Sequence, residues 1–290
     1  MVWRRDVRMG TTTSFRRAPA GERVRAVGRA QIFAIAILAL IANAIAARAS
    51  DYVALQGVGA ALTEGLGVSW AFWLSFALCV RLALTSEPAP ASRADWLVGG
   101  ACLAAAALPA SPISAVAATA LGFWLMASRD SGPRLKAAGM VLVAITVHLL
   151  WGKLLLLFFV APIAAADAHI VSLITHTAVS GNTVKFLQAG HRLAILQACT
   201  SVQNASIAMM MMIAIIRTFR PVPRVSELAY LAAAFLAVVA INDVRLSLMA
   251  RSLGMFELIH GPTGWTVINL IITCVGVAGA ALAVRREIFA

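Results

Sequence analysis

Apolar runs long enough to cross a bilayer recur along the whole chain, and no other feature limits its fold as much. A spanning helix needs about 20 apolar residues to cross a hydrocarbon core of about 30 Å. Eight segments can be marked: residues 31–47, 68–84, 96–108, 113–127, 137–159, 193–216, 228–250 and 265–284. The third and fourth are short and are separated only by Pro109-Ala110-Ser111-Pro112, a turn that makes them a tight helical hairpin or a broken re-entrant pair. Composition agrees: 61% of the residues are hydrophobic and 12% are charged, about half the charge of a soluble domain. The runs are continuous, whereas a bilayer barrel needs alternation. The expected fold is all-α, a polytopic transmembrane bundle of about eight spanning helices.

Basic residues set the expected orientation. Arg4, Arg5, Arg8, Arg16, Arg17, Arg23, Arg25 and Arg29 precede the first segment. Eight crossings then leave only Arg48, Lys153, Lys185, Arg192, Arg245 and Arg251 of the 24 basic residues away from the cytoplasmic side. Residues 1–30 are thus expected as a basic cytoplasmic tail. Residues 31–290 follow as a transmembrane domain of a cytoplasmic membrane, with both termini in the cytoplasm. The net charge of +12 belongs to these loops, so membrane lipid is the expected surroundings and nucleic acid is not a partner. The first segment resembles a secretory signal ending at Ala47-Arg48-Ala49, but its basic lead is long for one, which favours an uncleaved helix.

Threading gathers three reactive side chains at the outer face. Cys199 lies six residues into a sixth helix that begins near Leu193, about 9 Å below the interface. Arg245 lies about 26 Å along a seventh helix that begins near Leu228. His260 lies in the outer connection before Trp265. Singly, each has an ordinary explanation: a small core thiol, an arginine snorkelling to head groups, a loop histidine. Together they read as a nucleophile and its activators. Polar neighbours sharpen that reading. Gln203 lies one turn below the thiol if the segment is helical, Asn204 follows it, and Asn242 precedes Arg245 by three residues. Such groups inside a membrane helix must be satisfied within the bundle. A thiolate is the reactive form, and cationic neighbours favour it. His260 would take the thiol proton and return it to a leaving amine, and Arg245 would stabilise the oxyanion. His191, expected to begin the sixth helix, is a rival base. No metal or cofactor is expected; His169 and His176, seven residues apart, lack a third ligand.

Residues 180–265 carry a resemblance. Gly181-Asn182 leads into Gln197-Ala198-Cys199-Thr200-Ser201, then Asn242-Asp243-Val244-Arg245, then His260 with Gly264-Trp265 after it. This order is similar to that of the exosortase/archaeosortase family of membrane transpeptidases, although Thr-Ser follows the cysteine where Ser-Gly is commoner. The resemblance implies Cys199 as nucleophile with Arg245 and His260 as partners. It also implies exported protein substrates whose C-terminal signal is a short motif, a transmembrane helix and a basic tail, cleaved at the outer face through a thioacyl intermediate. The alternatives from the residues are a transporter, for which no internal repeat is visible, and a non-catalytic scaffold of envelope or exopolysaccharide assembly.

Overall fold

The computed structural model describes residues 27–188 and 190–288, so the arginines of the tail before residue 27 lie outside the described residues. The chain is an α-helical bundle. Five helices are long and apolar enough to cross a membrane. They are α1 (Arg29–Thr63), bent at Gly57; the rod Pro133–Thr175; α7 (Ser201–Phe219); α8 (Glu227–Met249); and Thr263–Ala283 within α10 (Pro262–Ala283). Between them lie the shorter helices α2 (Trp70–Leu84), α3 (Arg93–Ala107) and α4 (Ser111–Ala127). Fifteen residues of α2 reach about 22 Å, short of a full hydrocarbon core. All eight expected segments contain helix, but among the described residues only five helices have full spanning length and composition.

The short pair is a hairpin rather than two independent spans. Arg29 donates from Nε to Asp95 Oδ1 at 3.0 Å and from Nη2 to Ser128 Oγ at 2.8 Å, joining the open end of the hairpin to the start of α1. Asn43, about 21 Å further along α1, donates to Leu108 O and Ser114 Oγ at its tip, both at 2.8 Å. Buried polar groups in lipid must find partners inside the protein; these bonds meet that demand at the Asn43 end and for Nε and Nη2 of Arg29, while Arg29 Nη1 has no partner among the described residues.

Lipid tails are as apolar as leucine, so helix association depends on close packing rather than on hydrophobic burial. Alanine and glycine supply it in the largest core, which joins α1, α2, α4, α5 (Pro133–Thr146) and α7. A Cβ on Gly139 would sit 2.6 Å from Gly122 O, and one on Gly122 would sit 2.9 Å from Gly139 O. Only glycine allows α4 and α5 this approach.

The rod contains α5, a π-helical turn at Val147–Trp151 and α6 (Gly152–Thr175). At the π turn His148 Nδ1 meets Ser206 Oγ of α7 at 2.9 Å; later Asp167 binds Ser201 of α7 at 3.1 Å. A straight helix would separate His148 from Asp167 by about 28 Å, yet their partners are about 7.5 Å apart along α7. The rod therefore bends, at Phe159 (φ −121°, ψ 15°) ahead of Pro162, as an internal proline requires. The expected span ended at Phe159 with a long loop beyond it. Instead the chain stays helical to Thr175, and the connection to α7 begins there.

That connection contains the described strands: β1 (Val179–Ser180), β2 (Thr183–Lys185) and β3 (Arg192–Ala194), an antiparallel sheet in the order β1-β2-β3. Two further helices complete the chain, α9 (Leu253–His260) and α11 (Arg285–Ile288).

The opposite end of the bundle is closed by charge. Arg217 pairs with Glu227, and Arg220 donates to Glu227 Oε1 at 3.2 Å, Glu287 Oε1 at 2.8 Å and Ala283 O at 3.1 Å. The Arg220 guanidinium that donates to Glu287 holds its carboxyl below the usual glutamate range. A depressed carboxyl contributes fully above its unfolded value and loses that contribution as pH falls through the folded one. Acidification to below the ordinary glutamate range is therefore expected to free α11, read as increased mobility of a nitroxide attached at position 288. Glu287→Gln should show that mobility already at neutral pH, and equal spectra would refute the lock. Separately, Gly139→Val is expected to cost about 1–3 kcal/mol by overpacking, measured by unfolding in detergent micelles. An unchanged midpoint would show that α4 and α5 separate freely.

Candidate active site

Cys199 is not in an α-helix. The expected sixth helix beginning near Leu193 is replaced by β3, then a 3₁₀ turn at Gln197–Cys199, and α7 begins only at Ser201. The stretch from Leu193 to Ala198 is apolar enough for helix, but backbone pairing with β2 wins. Val184 pairs with Leu193, and Ile195 N donates to Asn182 O at 2.9 Å. Gly181, at φ +58°, and Asn182 form the tight turn between β1 and β2. Asn182 Nδ2 then donates to Ile195 O at 3.0 Å, so the Gly-Asn pair fixes the strand that delivers the cysteine.

This position changes three expectations. The depth of 9 Å for Cys199 does not apply, because the thiol lies just before the α7 N-terminus. Gln203 is not one helical turn from the thiol; it lies in the first turn of α7, where its carbonyl accepts from Ser206 Oγ at 2.8 Å. His191 does not begin a helix above the thiol. It lies between β2 and β3, where its carbonyl accepts from Phe186 N at 2.9 Å and its ring lies 6.2 Å from that of Phe186.

The α7 N-terminus is capped from outside. The Thr200 hydroxyl turns back to Gln197 O at 2.8 Å. Asp167 of α6 takes the capping role, accepting from Ser201 N and Ser201 Oγ, each at 3.1 Å. A carboxylate at a helix N-terminus meets orphan N–H groups and the positive end of the dipole. Asn242 of α8 completes the joint. Its Nδ2 donates to Cys199 O at 3.0 Å and to Ser201 Oγ at 3.2 Å, while its Oδ1 accepts from Asn204 Nδ2 at 2.9 Å. Asn204 and Asn242 are buried. Two of the three expected supporting residues are thus brought together beneath the cysteine.

Arg245 lies one turn beyond Asn242 and is only 4% exposed. Its guanidinium carbon stands 5.7 Å from the centre of the Trp265 ring. Its Nε and Nη1 have no hydrogen-bond partner among the described residues. The arginine is therefore a buried cation with unspent donors on the helix that Asn242 joins to the Cys199 backbone.

His260 ends α9 and is exposed, its ring stacked on Phe256 at 5.0 Å with 12° between planes. Phe256 and Cys199 pack against one apolar cluster that includes Phe186, Ile195 and Leu246. This brings the thiol and the ring supporting His260 to one end of the bundle. No hydrogen bond joins His260 to Cys199 among the described residues, an arrangement also found where catalytic bonds tighten only on substrate. The corner between α9 and α10 is extremely close: a Cβ on Gly264 would fall 2.3 Å from Ile259 O. Glycine is required there for His260 to stand where it does.

Asp167 and Asp243 were not singled out as site residues from the sequence. Asp243 is buried with Oδ1 unpartnered among the described residues, and its charge interacts with that of Asp167. A lone carboxylate in an apolar helix is a signal of function or pairing, and by that rule both were detectable. No group of His, Cys, Asp and Glu among the described residues has the placement to hold a metal ion.

In comparisons with known proteins, no family model matches this chain, and no curated protein or solved structure matches it.

Removing the cap by Asp167→Ala should leave Ser201 N unsatisfied and cost about 1–3 kcal/mol, seen in denaturant unfolding. Gly264→Ala should displace α9 with much less effect on the Cys199 loop. A crosslink between cysteines placed at 256 and 186 would then form more slowly than in the same pair with Gly264 intact; equal rates would show that α9 does not depend on this contact.

Proposed function

We propose that the chain is an exosortase-like cysteine transpeptidase or protease of the cytoplasmic membrane, with its site on the outer side and both termini in the cytoplasm. The observation that carries this reading is Asn242. One amide joins the backbone of the candidate nucleophile to the helix that presents the candidate oxyanion-stabilising cation. The loop bearing Cys199 and the helix bearing Arg245 are thereby tied together, while His260 stands on α9 outside this bond.

In the proposed reaction Cys199 Sγ attacks the scissile carbonyl of an exported protein after giving its proton to His260. The negative charge that develops on the carbonyl oxygen is met by Arg245, whose free N–H groups have no competing partner in the described residues. Collapse breaks the C–N bond, His260 returns the proton to the leaving amine, and a thioacyl enzyme remains. Water or an amine then takes the acyl group and restores the thiol. Substrates would carry a C-terminal motif, a transmembrane helix and a basic tail.

The test is co-expression with an exported protein bearing such a tail, followed by intact mass. Wild type should yield a shortened product, and Cys199→Ala should abolish it. Arg245→Gln should slow processing by about 10²–10³-fold, the range for losing one oxyanion donor. The mass of the new C-terminus identifies water or another acceptor. Equal processing by wild type and Cys199→Ala would remove the thiol mechanism and favour a scaffold or transporter.

A further inference from the structure

A cavity of about 620 Å³ lies between α8, α9 and α10. Its wall runs from Ala240 to Leu248 on α8 and from Thr263 to Ile271 on α10, about 12 Å along each helix at 1.5 Å per residue. Val244, Leu258 and Val267 in this lining are 52%, 61% and 51% exposed, so the groove opens away from the bundle. In a membrane-spanning chain that side is hydrocarbon.

Two features make the groove unlike an ordinary seam between helices. Arg245 forms part of its wall, 96% shielded yet with Nε and Nη1 unpartnered among the described residues. The Trp265 ring lies 5.7 Å from the guanidinium carbon, and the buried Nε and Nη1 would meet a ligand only by a small outward turn of the side chain into the groove that it lines. The second feature is the start of α10. Pro262 contributes no N–H, and Thr263 and Gly264, which line the groove, lie in the first turn, where backbone N–H groups lack intrahelical acceptors. A buried cation and a helix N-terminus therefore meet at one end of an apolar slot.

We infer that this groove holds a phospholipid, with one acyl chain along α8 and α10 and its phosphate between Arg245 and the α10 N-terminus. The occupant must be hydrocarbon over most of its length, bring anionic oxygens at one end, and be available within the bilayer. A phospholipid meets all three conditions. An acyl chain gains nothing from hydrophobic transfer when it moves from bulk lipid into the groove. Selectivity must therefore come from the charged end, and Arg245 is its principal determinant. This site does not require Cys199 to be a nucleophile, although it shares Arg245 with the proposed reaction.

The full-length protein purified in mild detergent and washed exhaustively should retain one phospholipid per chain, identified by mass spectrometry of the extract. Arg245→Gln, which removes the charge, and Ala240→Trp, which fills the inner end of the groove, should each lower retention about tenfold. Leu97→Trp, on α3 and 75% exposed, should retain the lipid, as should Cys199→Ala. Add-back serves if a variant fails to fold: dioleoyl phosphatidylglycerol should raise the unfolding temperature of delipidated wild type, and oleate should not. Equal retention by wild type, Arg245→Gln and Ala240→Trp would mean annular lipid only and overturn the site. So would an equal response to oleate, or a retained peptide in place of a lipid. Loss of processing without loss of lipid in Cys199→Ala separates this site from the thiol mechanism.

Discussion

One carboxamide organises the site end of the molecule. Asn242 donates to the carbonyl of Cys199 and to Ser201, and accepts from Asn204. In water such bonds would each contribute about 1 kcal/mol net. Here all the side chains involved are buried or nearly so, and an unmade bond would leave an amide with no solvent to replace its partner. The alternatives to this geometry are therefore costly. With Asp167 holding the start of α7 from a third helix, the network sets where α6, α7 and α8 meet, and the cysteine loop takes its position from that meeting.

The two ends of the bundle solve the same problem by different means. At the site end, neutral amides and one carboxylate tie backbone to side chain. At the opposite end, Arg217, Arg220, Glu227 and Glu287 form a charge network that also captures the carbonyl of Ala283. Breaking one member of such a network leaves a buried charge uncompensated. Between the ends, packing relies on small residues, most tightly where Gly122 and Gly139 face each other.

Hydropathy located the helices because burial in lipid leaves continuous apolar runs, and the expected end of the fifth segment at Phe159 coincides with a bend in the rod. It failed where tertiary pairing outweighed local propensity. The run Leu193-Ala194-Ile195-Leu196 suits a helix, yet it pairs with Thr183–Lys185 and carries Cys199 on a turn. Asp167 stood out as a carboxylate in an apolar run, but its role as the cap of α7 was not legible, because its partner is 34 residues away. Cys199, Arg245, Asn204 and Asn242 were legible as polar departures from apolar helices. Gln203 was chosen by a helical spacing that the chain does not have there.

The halves of the site are unequally held. The small sheet that leads to the cysteine is tied through Asn182 to Ile195 O, and the connection after β2 is tied to the end of α8 through Leu187 N to Ala250 O at 2.9 Å and Gln188 N to Arg251 O at 3.1 Å. By contrast, α9 has no fully buried residue and is joined to α10 through Gly261. Local opening draws on the less stable parts of a fold, and of the two halves of the site the one held by fewer buried contacts carries His260. Thermal fluctuations at this end would therefore alter the distance between histidine and thiol by moving the histidine. The loop bearing the thiol is the better anchored of the two, so the interval between them is set mainly by one short helix.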